Sequence, residues 1–347
     1  MPTQAYDTVT PRIGKVKGAI LKHAVPKEVL GITGNQHDLS NNVSDTVIFR
    51  RWLPHGGATT NATTINQWSV TAAAHQTQEG VTPTPDTIAP QDITVQLLEY
   101  SCLYMYTNKV ALLYEDDIPK AQKKLTGQRM GLVRELVRYG ALKGCTNKFY
   151  AGGTSRATVD EAVSLGNFRA IERSLLANRA DTITEIISAS ASYNTSSVEA
   201  CFLVFCHTDV CHDIRNLPGF TKVVEYGGST KPMHPMEMGA VDNFRFIVSP
   251  ELSSIIDSGA AVGSTGLKTT GSSNIDVYPV IVVAEDAWGD VALRGQNSFR
   301  VTEIPYSQKD KSDPHGQRGY IGAIFWSAAF VQNDGWMAVL ECGVTNL

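Results

Sequence analysis

Residues 46–115 constrain the fold more than any other part of this chain. They open with a short strand candidate, 46–53 (TVIFRRWL), rich in β-branched and aromatic residues, and close with a longer one, 91–110 (QDITVQLLEYSCLYMYTNKV). Between the two, residues 54–90 are polar and turn-rich, with Pro83, Pro85 and Pro90 near the return. A loop longer than about 15 residues inside a folded chain is usually functional or disordered. The dense turn signal and the strand-like return favour an extended two-stranded arm bearing Glu79, Gly80, Val81, Thr82 and Pro83 at its tip. An arm of that length cannot bury itself within its own chain, so its partner is expected on a neighbouring subunit.

Within the return strand the apolar set changes phase. Ile93, Val95 and Leu97 alternate with polar residues, and then Leu98, Tyr100, Cys102, Tyr104 and Tyr106 take over. A one-residue change of phase turns the buried face over, which a bulge or a sharp twist accommodates. Tyrosines that stack single-stranded bases need a basic groove. The neighbours here are Glu99 and Ser101, so packing in the core or between subunits is the better reading. Arg50 and Arg51 could contact phosphate, but in a chain of net charge −4 they read as an ion-pairing strand end.

Around the arm, residues 1–45 form an N-terminal segment. Its 12–24 stretch puts Ile13, Val16, Ile20 and Ala24 on one helical face, with Lys15, Lys17 and Lys22 largely off it. It fits either a basic segment that docks on a partner subunit or an ordinary surface helix. Residues 31–44 are polar and read as a loop. The longest helical stretch is 116–149, with Leu125, Leu132, Val133, Leu136 and Gly140 at helical spacing, and Arg129, Arg134, Arg138 and Lys143 on other faces. Asp116 and Asp117 suit its N-terminus. A second helix, 168–179, follows the cap candidates Ser164 and Asn167, and 188–197 (SASASYNTSS) is a linker by composition.

A new unit begins near Val198. The runs 201–206 (CFLVFC), 244–248 (FRFIV) and 278–284 (YPVIVVA) are buried-strand candidates. Thr208 or Asp209 caps a short helix reaching Leu217, and 253–274 is a Gly/Ser/Thr-rich flexible loop. The unit ends near Gly295. The tail, 297–347, is strand-rich, with Asn333-Asp334-Gly335 as a hairpin signal between 320–330 and 336–342. It looks like the completion of the sheet begun before residue 114, which makes the middle unit an insertion.

Candidate chemistry is sparse. Cys201, Cys206-His207 and Cys211-His212 follow a C-x4-C-x4-C spacing, not the C-x2-C of common zinc sites, and buried structural cysteines are the better reading. All six cysteines are scattered, so reduced thiols in a cytosolic setting are expected. Gly227-Gly228-Ser229-Thr230 lacks the lysine of a phosphate loop, and neither G-x-S-x-G nor H-E-x-x-H occurs. The adjacent carboxylates Asp116-Asp117 and Glu285-Asp286 fit helix starts and turns. No enzyme, cofactor or metal is expected. No run of about 18 apolar residues or signal-peptide core is present, so no membrane span is expected. The net charge of −4 argues against a chain that grips nucleic acid through its phosphates.

Taken in order, these parts resemble the major capsid protein of tailed bacteriophages, most of all the branch typified by short-tailed coliphages. The resemblance is carried by 47–51 (VIFRR), 79–83 (EGVTP), the helix ending at Phe149, 207–215 (HTDVCHDIR) with Phe220, and 244–248 (FRFIV), and it covers nearly the whole chain. It implies an α+β fold of the Hong Kong 97 type. The parts would be an N-terminal arm (1–45), a strand and extended loop (46–113), a spine helix and peripheral domain (114–197), an axial domain (198–295) and a return to the peripheral sheet (296–347). It implies a virion shell protein, assembled in the host cytoplasm as hexamers and pentamers around double-stranded DNA that it lies beside without gripping. The tip residues Glu79, Gly80, Val81, Thr82 and Pro83 and the arm residues Ile13, Val16 and Ile20 would then be inter-subunit contacts. The other partners implied are a portal protein, a separate scaffolding protein, since the short arm leaves no room for a built-in one, and, as an option, a decoration protein. Some members join subunits through a Lys–Asn bond. The residues for it cannot be placed here, and none is expected. The rival is an encapsulin, a cellular compartment of the same fold, whose cargo-holding helix 12–24 could imitate.

Overall fold

The computed structural model describes residues 25–56, 66, 68–82, 85–114, 117–183, 200–226, 232–263, 265–271, 273–295, 300–309 and 311–347. The helix expected over 12–24, the linker 188–197, and the residues Ile13, Val16, Ile20 and Pro83 lie outside them. In chain order the elements are β1 (Asn35–Leu39), β2 (Thr46–Trp52), β3 (Pro90–Gln96), β4 (Leu98–Thr107), α1 (Asn108–Leu113), α2 (Ile118–Leu142), β5 (Lys148–Tyr150), α3 (Leu165–Ala177), β6 (Phe202–His207), α4 (Cys211–Arg215), β7 (Thr221–Lys222), β8 (Glu237–Val241), β9 (Phe244–Ser249), β10 (Tyr278–Val283), β11 (Trp288–Leu293), β12 (Arg300–Ile304), β13 (Arg318–Val331) and β14 (Met337–Cys342).

The wholly apolar runs form the middle of a seven-stranded sheet, ordered β5-β14-β10-β6-β9-β8-β7. Alternation along each strand divides its side chains between two cores. Phe202, Val204 and Cys206 of β6, with Val280, Val282 and Leu340, face one core, where α3 adds Phe168, Ile171 and Leu175. Leu203 and Phe205, with Ile281, Val283 and Val339, face the other, closed by Val29, Leu30, Tyr139, Leu142 and Trp288. The sheet is buried on both faces, which is why its strands read as continuous hydrophobic runs.

A five-stranded sheet is built on β13, which pairs antiparallel with β4, β11 and β12, while β1 runs parallel to β11. Helix α2 packs on it through Met130 and Val133 against Tyr100, Cys102, Ala323 and Phe325. Sheet membership crosses the boundary drawn near Gly295. β11 lies before it yet joins the β13 sheet, and β14 lies after it yet pairs with β10.

Several sequence expectations are corrected. The single strand over 91–110 is two strands and the start of a helix. β3 pairs with β2, Leu97 is buried between the sheets with its N–H on the Asp45 carbonyl, and β4 joins β13. The phase change is therefore the point where the chain passes from one sheet to another. At Thr107 the side chain accepts a hydrogen bond from Val110 N–H, which caps α1 and ends β4. The helix expected to end at Phe149 ends at Leu142, because the chain turns at Gly144 and Phe149 finds a parallel partner in Leu340. Residues 31–44 are not all loop, since β1 pairs there with β11. Asn333-Asp334-Gly335 is not a hairpin turn. It carries the chain from β13 in one sheet to β14 in the other. Asn167 lies inside α3, where Ser164 alone caps by accepting from its N–H. The cap beside Thr208 is His207, whose Nδ1 accepts from Asp209 N–H. The loop 253–274 is tied down by pairings of Ile255 with Val277, Ala261 with Asn274, and Leu267 with Thr345.

The inward face of α2 is only in part the one that its spacing suggested, since Val133 packs on the sheet and Leu132 is half-buried while the rest of the set is not. Gln122, Thr126, Met130, Gly131, Glu135, Arg138, Tyr139 and Leu142 are buried, whereas Leu125 and Leu136 are exposed. The helix lies across two cores, so its polar residues meet partners instead of water. Glu135 Oε1 accepts from the N–H groups of Val29 (2.7 Å) and Leu30 (2.8 Å), and Arg138 pairs with Asp290.

Candidate subunit-contact surface

The arm rises from the β2–β3 pair, whose register runs from Thr46 opposite Gln96 to Trp52 opposite Pro90. One face is anchored. Val47, Phe49, Ile93 and Val95 pack on Leu39, Val291 and Phe330, and the Phe49 ring stacks on Phe330 at 4.6 Å between centroids. The other face is open, with Ile48 and Trp52 exposed. The paired arginines close the strands sideways, as their setting suggested. Arg50 Nε and Nη2 donate to the two Asp92 carboxylate oxygens at 2.7 and 2.8 Å, and Arg51 Nε donates to Gln91 Oε1 at 2.7 Å. Opposite-charge pairs placed directly across two strands fix their register. A cleft of about 360 Å³ opens at the root of the arm, lined by His37, Phe49, Arg51, Phe330, Gln332 and Trp336.

Beyond the strands, Leu53 N–H bonds to the Ala89 carbonyl and Ser69 N–H to the His55 carbonyl. Glu79, Gly80, Val81 and Thr82 are all exposed, and Gly80 has φ +75° in a turn where Val81 N–H reaches the Gln78 carbonyl. A left-handed residue is accommodated there because it is glycine. Trp68, Val70, Val81 and Ile88 are exposed along the loop. Among the described residues, these side chains have no core of their own.

The expectation that the arm is free of its own chain needs one amendment. Asn66 is held by the body: its Nδ2 donates to Asn333 Oδ1 (2.9 Å), Asn333 Nδ2 donates back to Asn66 Oδ1 (3.2 Å), and Arg179 Nη1 donates to its carbonyl (2.8 Å). Nothing in the sequence marks these residues, because they lie in three separate stretches that only the fold brings together.

Two of the residues weighed as chemistry have structural places: His207 caps the turn after β6, and Cys206 lies in the core. Cys206 is buried against the Ile247 carbonyl, and burial pushes its thiol well up, while Cys342 is pushed to about 12 by the same cause. The Asp209 carboxylate takes hydrogen bonds from Lys268 Nζ (2.6 Å) and Tyr278 OH (2.8 Å), which tie the 253–274 loop to the turn after β6 and to β10. Among the described residues, no group of three or more His, Cys, Asp or Glu is placed to hold a metal ion. No helix among them is long and apolar enough to cross a membrane.

Comparison with known structures decides what kind of fold this is. The chain superposes over 97% of its length on the capsid protein of Ralstonia phage GP4, covering 96% of that chain, with TM-score 0.63 at 12% identity. The corresponding values are 97% and 98% of the two chains, TM-score 0.61 and 13% identity, for the cyanophage Pam1 capsid. For the head of Helicobacter pylori bacteriophage KHP40 they are 98%, 96%, 0.59 and 13%. The chain has the Hong Kong 97-type capsid fold. In sequence it is similar to the major capsid protein of Pseudomonas phage KPP21, 24% identical over 183 residues that make up 47% of this chain and 44% of that protein. The match thus spans less than half the length of the relative. No family model matches the sequence. For a capsid fold the relevant geometry is a set of surfaces, not a pocket, and among the described residues the arm leaves Trp68, Val70, Val81 and Ile88 exposed.

Proposed function

We propose that this chain is the major capsid protein of a tailed bacteriophage. Its copies assemble as hexamers and pentamers into an icosahedral shell around double-stranded DNA, in the host cytoplasm, with a portal protein and a separate scaffolding protein as partners. The observation that carries the proposal is the full-length likeness to phage capsids combined with an arm whose apolar side chains are left exposed.

In this reading the arm lies over the adjacent subunit, which covers Trp68, Val70, Val81 and Ile88 and the open edges of β2 and β3. Covering an edge removes the aggregation hazard that an unpaired strand presents. Each contact can be weak, because a closed shell joins every subunit through many contacts at once. The chain's net charge of −4 suits a lining along which packed DNA slides. The relatives are capsid proteins, and the reading assigns no catalysis. Electron microscopy of the purified full chain tests it. Closed shells are expected, and a uniform small oligomer with no particles at any concentration would refute it.

A further inference from the structure

Helix α2 leaves part of its apolar set outside the core. It buries Gln122, Thr126, Glu135 and Arg138, yet Leu125 and Leu136 are each 44% exposed, Leu132 is half-buried, and Gly140 has open space above it. Leu125, Leu132 and Leu136 stand at i, i+7 and i+11, one line along a helix. At 1.5 Å per residue the line is about 16 Å long, enough for two to three turns of another helix. Helical spacing of this kind ordinarily marks the inward face. Here no element among the described residues packs over it.

The borders of the stripe all carry one sign. Lys124 and Arg129 flank it, Lys120 and Lys143 lie toward its ends, and the single acid of α2, Glu135, is buried. Arg129 lies over the Tyr104 ring, 5.8 Å from its centroid.

We propose that this leucine stripe is the docking site of an acidic amphipathic helix carried by the separate scaffolding protein. The identity of the carrier rests on the shell reading above, whereas the chemistry of the docked helix rests on the stripe alone. Leucines in line take the ridge of a partner helix, and Gly140 lets its backbone approach. Glutamates beside the partner's apolar stripe would meet Lys124 and Arg129 at the polar rim. The same charges disfavour the other occupants. Two copies of the stripe would set lysine and arginine against like charge, and the chain's own 12–24 stretch is basic, with Lys15, Lys17 and Lys22. Duplex DNA would satisfy the cations but leave the leucines against phosphate.

The test uses the folded full chain and two labelled synthetic helical peptides. Both have leucine at the first and fourth heptad positions, and one has glutamate and the other lysine at the flanking positions. By fluorescence anisotropy the glutamate peptide is expected to bind about tenfold or more tightly than the lysine peptide. Leu125→Gln with Leu136→Gln is expected to weaken it by about tenfold or more at unchanged Tm, since both positions are exposed. Lys124→Glu with Arg129→Glu should reverse the preference between the peptides. Equal binding of the two peptides, or unchanged binding by the leucine variant, overturns the proposal. Because the measurement needs only the subunit, a failure to see shells by microscopy would count against the shell reading and leave this result standing.

Discussion

Arg138 on α2 and Asp290 on β11 lock together across 152 positions of sequence: Nε and Nη2 of the guanidinium reach the same carboxylate oxygen, Oδ2, at 2.7 and 2.6 Å. Both side chains are at least nine-tenths buried. The pair fastens the helix to the sheet that holds the arm. Removing one partner from a buried ion pair leaves a charge without compensation, at a cost of about 3–5 kcal/mol. Asp290→Ala is therefore expected to lower the unfolding free energy by that amount, and adding Arg138→Met should recover part of it. Urea denaturation of the three proteins is the measurement, and a double variant no better than the single one would contradict the pairing.

Glu135 sits one turn away, and burial pushes its carboxyl above the usual glutamate range, against the two backbone N–H groups of Val29 and Leu30 that favour its ionised form. A raised carboxyl binds its proton more tightly in the folded state than in the unfolded one. Its contribution to stability is therefore complete below the unfolded pKa and is lost as pH rises through the folded one. Glu135→Gln keeps an acceptor for both N–H groups and removes that dependence. The stability of the variant relative to the native chain should rise between pH 4 and pH 7, read from urea midpoints. A relative stability that falls over that interval would show the carboxylate to be favoured by folding.

Phe168 of α3 is fully buried, with its ring 5.4 Å from Phe244 and 5.2 Å from Phe246. Phe168→Ala should cost about 3–5 kcal/mol, the range for an aromatic side chain removed from a tight core. Leu125→Ala, on the exposed stripe of α2, should stay within about 0.5 kcal/mol of the native chain. Thermal unfolding of the two side by side separates the core from the contact surface.

Deleting residues 56–90 should leave a folded, soluble subunit that forms no stable shells, as read by circular dichroism and sedimentation. Asp92→Arg sets two arginines opposite each other at the arm root without touching either core. It should leave the unfolding transition of the body in place while lowering the yield of shells. Normal particles from the deletion would remove the arm from the assembly mechanism.

Local pattern revealed the parts of this molecule that are decided locally. The strands 46–53, 201–206 and 278–284 were legible because β-branched and aromatic runs have few alternatives, and the Leu97–Leu98 phase change marked a real transition between sheets. What local pattern could not supply was pairing at long range. Nothing around Asn333 says that the strand before it and the strand after it belong to different sheets, and no spacing brings Asn66 beside Arg179. On α2 the helical period was legible, but only part of the set it marked faces inward. Periodicity shows that leucines share a side, and only the burial of Glu135 and Arg138 against distant partners shows that the side faces outward.

The strands that complete both sheets come from residues 318–342. β13 is the strand on which β4, β11 and β12 are assembled, and β14 stands between β5 and β10. During synthesis β4, β5, β10, β11 and β12 each lack a partner on one edge until that stretch has left the ribosome. A chain broken off before it could complete neither sheet. The order of strands thus makes both sheets depend on residues 318–342, far in sequence from the strands they join.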